Sequence, residues 1–184
     1  MENPMTTQDK LLLNARRLFW SRGYSNVSVR QIASAAGVDV ALISRYFGGK
    51  LGLFTATLDG AFEWGELAAL DKDTLVDAFL KIFAEIPRGG DEPSAIRMIL
   101  TNAHDEEVAD LVRRTFQSEF HEQIAKITKS DERAALFIAV LFGVSVAEKS
   151  LHLPGIAKPD SQKYQSQLRH LMRAALDFPQ DDGA

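Results

Sequence analysis

Apolar residues recur every three or four positions through most of the chain, in segments that Gly and Pro residues separate. This spacing lines up apolar side chains along one face of an α-helix, whereas a half-buried strand would alternate apolar and polar residues. No segment shows a convincing alternation of that kind. The pattern therefore predicts an all-α protein.

The first predicted helix runs from about Gln8 to Arg22. Thr6 or Thr7 can cap its start, and Gly23 suits its end because glycine readily adopts the backbone conformation of a helix C-terminus. We expect one face of this helix to lie in the core, and that face consists of Leu12, Ala15, Leu18 and Phe19.

Two short helices are predicted next. Ser28 and Gln31 have the spacing of a reciprocal capping box, Gly37 falls at a tight-turn position, and Asp39 can cap the helix that follows. Each cap is flanked by an apolar pair that can form a hydrophobic staple: Val27 with Ile32, and Val38 with Ile43. Two capped helices around a glycine turn form a helix-turn-helix.

Further helices are predicted in the rest of the chain. One extends from about Lys50 to Ala69 and links the two halves, with Leu51 among its inward residues. Asp73 caps the next helix, Pro93 opens another, and Asp105 caps a long amphipathic helix. The last helix carries apolar residues on one face from Tyr164 onwards.

Residues 134–147 contain no charged side chain, and Ser145 is their only polar residue. A helix that is apolar nearly all round must be covered on several faces, and a monomer of this size has few layers with which to do so. We therefore expect a partner subunit to cover it, together with the last helix. The predicted interface residues are Leu136, Val140, Leu141, Val144, Leu168, Leu171, Met172 and Ala175.

The charges are distributed unevenly. Residues 1–50 carry seven Lys or Arg against three acidic residues, a net charge of +4, which leaves −8 for the remainder of a chain whose total is −4. A basic head on an acidic body predicts that only the head meets a polyanion. A chance distribution of charges is the alternative.

Composition favours an intracellular protein without a metal site. The chain has no cysteine, its N-terminus lacks the pattern of a signal peptide, and its longest apolar stretch is too short to span a bilayer. We expect a soluble, cytoplasmic protein. The four histidines are scattered, and the stretch His121–Ala125 has alanine where a zinc-protease motif needs its second histidine. No metal and no cofactor are predicted.

Enzyme signals are weak as well. The stretch Gly143–Ala147 is similar to a nucleophile elbow but lacks its final glycine and lies in a predicted helix. Residues 48–52 have neither the spacing of a phosphate-binding loop nor a preceding strand. We therefore do not expect an enzyme.

A series of residues between about 8 and 55 resembles the TetR family of transcription repressors. The matching residues are Leu18-Phe19, Gly23-Tyr24, the run from Ser28 to Ala33, Ala36-Gly37-Val38, Arg45-Tyr46-Phe47, Lys50 and Leu53-Phe54. The resemblance implies a three-helix DNA-binding head in residues 1–50. It also implies a helical body in residues 51–184 that binds a ligand and dimerises through its last two helices as a four-helix bundle.

The resemblance also assigns roles in the head. The start of the third helix would face DNA bases, whereas Ile43 and Phe47 would belong to the core. Arg45 is expected to read a guanine, since a guanidinium matches the O6 and N7 acceptors, although a phosphate contact is the alternative. The predicted base contacts are Val40, Ala41, Ser44 and Arg45. The predicted phosphate contacts are Ser28, Arg30, Tyr46 and Lys50.

Two positions depart from the commonest pattern of the family. Ser44 stands where a tyrosine is frequent, and Gly49 stands where a Ser or Asn often precedes the lysine. Base recognition by Ser44 is therefore in doubt. The remaining alternative is that the residues of this helix only pack.

The implied function is a dimeric repressor that a small-molecule effector releases from its operator, with the helix from Lys50 as the lever. Aromatic candidates for the effector pocket, each equally suited to an ordinary core, are Phe62, Trp64, Phe79, Phe83, Phe116 and Phe120. A nucleoid or division factor that uses the same head without a small ligand is the alternative.

Overall fold

The regular structure is helical throughout the part of the chain that the computed structural model describes, residues 5–62, 70–85 and 94–179. Within these residues there is no strand, and the predicted all-α fold is confirmed. The α-helices are α1 (Thr7–Arg22), α2 (Val29–Ala36), α3 (Ala41–Phe47), α4 (Lys50–Leu58), α5 (Lys72–Glu85), α6 (Ala95–Asn102), α7 (Ala109–Phe116), α8 (Glu122–Thr128), α9 (Asp131–Lys149) and α10 (Gln162–Leu176).

The helix starts in the head have the predicted chemistry. The Thr6 hydroxyl accepts from the amide of Asp9 at 3.1 Å, and so caps α1. In α2 the capping box is complete, since the amide of Ser28 donates to Oε1 of Gln31 at 2.8 Å while the amide of Gln31 donates to Ser28 Oγ at 3.3 Å. The amide of Ala41 donates to Oδ1 of Asp39 at 2.7 Å at the start of α3. These predictions are confirmed.

The prediction for α4 was wrong in length and at one position of its inward face, Leu51. The helix ends at Leu58 and not at Ala69. Gly60 follows in a turn, and its φ of 68° is incompatible with a right-handed helix. Residues 63–69 lie outside the described residues. Leu51 is 52% exposed, whereas Phe54 and Leu58 of the same predicted face are buried. The inward face is therefore confirmed except at its first position.

Other helix boundaries differ from the prediction as well. The cap of α5 is Asp71 and not Asp73, because Oδ1 of Asp71 accepts from the amide of Thr74 at 2.9 Å. Ser94 caps α6, its hydroxyl accepting from the amide of Arg97 at 3.3 Å, and Pro93 lies outside the described residues.

The long helix expected after Asp105 is divided. It consists of α7, a π-helical turn over Gln117–His121, and α8. Within it Val108, Val112 and Ile124 of the predicted apolar stripe are buried. The structure gives no local cause, such as Gly or Pro, for the π-helical turn.

Residue contacts divide the chain into two compact units. The first consists of Met1–Glu63 and Gly89–Phe116, and the second of Trp64–Arg88 and Gln117–Ala184. Helices α4, α6 and α7 thus pack with the three helices of the head. The boundary after residue 50 between a DNA-binding and a ligand-binding domain stays a prediction, because a packing unit and a functional domain need not coincide.

Aromatic and polar contacts hold α1 to α4 in the first unit. The ring of Phe19 lies 5.4 Å from that of Phe54, edge to face. Arg16 Nη2 donates to the carbonyl oxygen of Thr57, in the last turn of α4, at 3.1 Å and to that of Asp59, the residue after the helix, at 2.8 Å. Since these carbonyls have no partner within the helix, Arg16 stabilises the end of α4. Arg16 therefore serves the fold, although it contributes to the basic charge of the head.

In the second unit α9 packs against α8 and α10, and α10 packs against α5. The buried side of α9 includes Phe137, whose ring lies 5.3 Å from that of Phe79 on α5. Among the described residues no helix combines the length and the apolar character that crossing a membrane requires.

Candidate nucleic-acid interface

The predicted base contacts lie together on the solvent side of α3. Val40, Ala41, Ser44 and Arg45 are exposed, whereas Ile43 between them is only 1% exposed and belongs to the core. Ile43 therefore anchors α3, and the opposite face of the helix is free for contact. The left-handed conformation of Gly37, with a φ of 67°, allows the tight turn that brings α3 across from α2.

The predicted phosphate contacts differ in their exposure to solvent and in the hydrogen bonds that they already form. Arg30 and Tyr46 are exposed, and Lys50 is half-buried at the start of α4. The hydroxyl of Ser28 already donates to Oε1 of Gln31 at 3.0 Å and accepts from its amide. Ser28 thus caps α2, and its contact with phosphate stays a prediction.

A buried asparagine that the sequence did not single out fixes the turn between α1 and α2. Asn102, the last residue of α6, is fully buried, and its Oδ1 accepts from the amide of Tyr24 at 2.8 Å. Its Nδ2 donates to the carbonyl oxygens of Phe19 at 3.2 Å and Met98 at 2.9 Å. A side chain outside the helix-turn-helix therefore supports the backbone that precedes α2.

Asp105 adds a second contact from the same segment. Its Oδ2 accepts from the amide of Ser25 at 3.0 Å. Burial acts to raise the pKa of Asp105, but hydrogen bonds from Ser25, Glu107 and Val108 outweigh it and hold the pKa below its usual value. Since the pKa in the folded state is depressed, this carboxylate stabilises the first unit above its unfolded pKa of about 3.9 and loses that effect as the pH falls further.

A second residue that sequence reasoning passed over is Gly52, which allows α4 to pass close to the end of α3. A Cβ at this position would lie 1.9 Å from the carbonyl oxygen of Phe47 and 3.1 Å from its carbonyl carbon. These are backbone atoms, which cannot rotate away. The close approach holds the end of α3 near Lys50 at the start of α4.

Gly52→Ala is therefore expected to destabilise the protein by about 1–3 kcal/mol, because the added methyl group overpacks the junction of α3 and α4. The measurement is the free energy of unfolding in urea, followed by circular dichroism. Thr55→Ala, at an exposed position of the same helix, is the control and should be close to neutral. Equal stability of the two variants would contradict the close approach.

The aromatic residues predicted to line a pocket lie in both units. Phe62 and Phe116 form an edge-to-face pair at 5.6 Å in the first unit. Phe79 lies 6.2 Å from Phe120 in the second unit, where Phe83 is also buried. Trp64 lies outside the described residues. Their role as pocket residues stays a prediction.

The residues predicted for a dimer interface fall into two groups. Leu171 is 40% exposed, and Leu136 and Val140 are half-buried. The remaining five are buried within the protomer itself: Leu141, Val144, Leu168, Met172 and Ala175. The surface that a partner could reach is therefore smaller than the predicted set.

Within residues 5–62, 70–85 and 94–179 the structure brings together no group of three or more His, Asp or Glu side chains that could hold a metal ion.

Sequence comparisons match both halves of the chain to one family. Residues 11–57 match the model described as "Bacterial regulatory proteins, tetR family", and residues 73–176, more than half of the chain, match "Tetracyclin repressor-like, C-terminal domain". A curated relative, the probable HTH-type transcriptional regulator YttP of Bacillus subtilis, is 44% identical over 59 residues. That match spans 32% of this chain and only 28% of the relative.

Solved structures resemble nearly the whole chain. A TetR-family transcriptional regulator from Streptomyces coelicolor has a TM-score of 0.65 and 21% identity, over 92% of this chain and 94% of that one. AmtR from Mycobacterium smegmatis has a TM-score of 0.60 and 19% identity, over 98% of this chain and 90% of that one. At such identities the likeness shows the fold alone. With the two family matches, it leads to one conclusion: the chain belongs to the TetR family of bacterial regulatory proteins.

Proposed function

We propose that the protein is a transcriptional repressor that binds an operator through α3 and leaves it when a small-molecule effector binds. The observation that carries the DNA-binding part is the exposure of Val40, Ala41, Ser44 and Arg45 on one face of a helix that Ile43 anchors from the other. A helix-turn-helix uses such a face in the major groove. The similarity to YttP, a probable transcriptional regulator, supports the same function.

The test is to incubate the purified protein with genomic DNA fragments from its own organism and to sequence the fragments that it retains. A repressor is expected to enrich a few sites, each with two half-sites about 34–36 Å or one helical turn apart. Broad retention without a shared sequence would favour the alternative, a nucleoid or division factor. Retention of no DNA would refute both.

We also propose a homodimer formed by α9 and α10. Small residues on the exposed side of α9, Ala135, Ala139 and Gly143, would let a partner helix approach closely, and Leu171 on α10 is exposed as well. A Cβ on Gly143 would meet nothing within 4 Å, so this face is open in the protomer. Leu136 and Val140 border the same side of the helix.

Ala139→Glu is expected to convert the dimer into a monomer, because it places a charge in the middle of an apolar contact. Analytical ultracentrifugation over a range of protein concentrations measures the change. Ala35→Glu, the same substitution at an exposed position of α2, is the control and should leave the oligomeric state unchanged. A dimer of equal stability in both variants would rule out this face.

The effector part of the proposal rests on family resemblance and on the aromatic residues of the second unit, such as Phe79 and Phe120. Apolar pockets with aromatic walls commonly hold small organic ligands. Such a repressor would act in the cytoplasm, where the DNA is. The test is a screen for compounds that raise the melting temperature, followed by titration of the operator complex. A compound that stabilises the protein without releasing DNA would contradict induction.

A further inference from the structure

Lys50, a predicted phosphate contact, is not surrounded by water alone. Its ammonium nitrogen lies 4.1 Å from the centroid of the Tyr24 ring. At this distance the negative face of an aromatic ring attracts a cation. The ring covers one side of the ammonium group and leaves its other N–H donors available for an anion. The half-buried side chain thus loses part of its freedom before any ligand arrives.

The Tyr24 ring itself is held from several directions. It is 3% exposed, stacks on Phe19 at 5.6 Å and meets the edge of Phe54 at 5.3 Å. Its backbone amide donates to Asn102, as described above. The ring is therefore a fixed platform whose position depends on the core of the first unit.

Glu107, in the turn between α6 and α7, acts electrostatically on the phenol of Tyr24. Burial, the charge of Glu107 and its hydrogen bond with the phenol raise the pKa of Tyr24, with a smaller contribution from Asp105. The phenol therefore stays protonated, so that its O–H is available to donate to the carboxylate of Glu107. A phenol that donates to a carboxylate has a more electron-rich ring, which strengthens the attraction to Lys50.

We propose that Tyr24, fixed in place by the core of the first unit, is a positioning residue that orients Lys50 toward a DNA phosphate. Tyr24 touches no DNA in this arrangement and acts through Lys50. The inference rests on the proposed DNA-binding function. The arrangement lowers the entropic cost of binding, since a lysine ordered in advance loses less side-chain freedom when it contacts DNA.

The first test needs no DNA. An ordered contact predicts that the Cε protons of Lys50 are shifted upfield in the NMR spectrum by the ring current of Tyr24. Tyr24→Leu should abolish the shift, and Glu107→Gln should reduce it. Glu106→Gln, the same change of charge at the neighbouring exposed carboxylate, is the matched control and should leave it intact. A wild-type protein without the shift would overturn the positioning, whether or not the protein binds DNA.

The second test is a double-mutant cycle on affinity for the selected operator. Tyr24→Leu is expected to weaken binding by about two- to fivefold per head in the wild-type background, the range of an exposed cation–π contact. In the Lys50→Ala background it should have no effect. Lys50→Ala itself should lower the slope of log affinity against log salt by about one per head.

The same cycle is repeated with Glu107→Gln, in case Tyr24→Leu impairs folding. Because Glu107 is exposed, its substitution should leave the fold intact. Equal losses in both backgrounds, or tighter binding by Tyr24→Leu, would overturn the proposal. A wild-type protein that retains no DNA would instead refute the proposed function, and the NMR result would still decide whether Lys50 is positioned.

Discussion

Asn102→Leu is expected to lower the free energy of unfolding of the first unit by about 3 kcal/mol, although leucine has the same branched arrangement of side-chain heavy atoms as asparagine. The amide of Tyr24 loses its acceptor at 2.8 Å and stays buried, which costs about 1–3 kcal/mol, and two further hydrogen bonds are lost at about 1 kcal/mol each. Phe19 keeps its bond to the amide of Gly23, so its carbonyl is not left unpaired.

Hydrogen exchange of the Tyr24 amide directly measures the loss of its hydrogen bond to Asn102. A loss of about 3 kcal/mol corresponds to exchange about 100-fold faster or more than in the wild type. Asn14→Leu is the matched control, since Asn14 lies on α1 with its Nδ2 bonded to the carbonyl of Lys10 at the surface, and its loss should change little. A Tyr24 amide that stays equally protected in Asn102→Leu would show that the network does not stabilise this turn.

The contrast between Asn102 and the helix caps explains which features could be predicted. A capping box is encoded within four residues, and both partners of the box at Ser28 and Gln31 are visible side by side in the sequence. The partner of Asn102 lies 78 residues away along the chain. A single polar residue in a helical segment gives no sign of that contact, because the packing of α6 on α1 decides it.

The predicted end of α4 and the predicted burial of Leu51 were wrong for a related reason. The apolar periodicity of residues 50–69 is compatible with one long helix, but α4 ends at Leu58, just before the left-handed Gly60, and Arg16 of another helix binds a carbonyl in its last turn. Leu51 fits the same periodicity but lies on the exposed side of α4. Periodicity predicts that a helix exists, whereas it fixes neither where the helix ends nor how deeply each apolar position is buried.

The exposed face of α3 could be predicted because the two sides of this helix differ in chemistry. Ile43 is apolar and Arg45 is charged, and a helix turns these positions in different directions. Their exposure in the structure follows that expectation, with Ile43 buried and Arg45 exposed. Contact between the exposed side chains and DNA depends on an operator, so the roles of Val40, Ala41, Ser44 and Arg45 stay predictions.

Arg45→Ala is expected to weaken operator binding by about 10- to 100-fold for each half-site, since a bidentate contact with guanine contributes about 1–3 kcal/mol of discrimination. A dimer carries this loss twice. The side chain is exposed, so the fold should be unaffected and the melting temperature should stay close to that of the wild type. Affinity for the selected operator and for single-base variants of it, at one fixed salt concentration, measures the change.

Arg30→Ala separates recognition of a base from attraction to phosphate. Both arginines are exposed and both substitutions remove one positive charge. If Arg45 reads a guanine, Arg45→Ala should relax the preference at one position of each half-site, whereas Arg30→Ala should weaken all sequences alike. The same uniform loss in both variants would assign Arg45 to the phosphate backbone, and specificity would then have to come from Val40, Ala41 and Ser44. Because those three side chains are small, such a result would favour recognition of thymine methyl groups or of DNA shape.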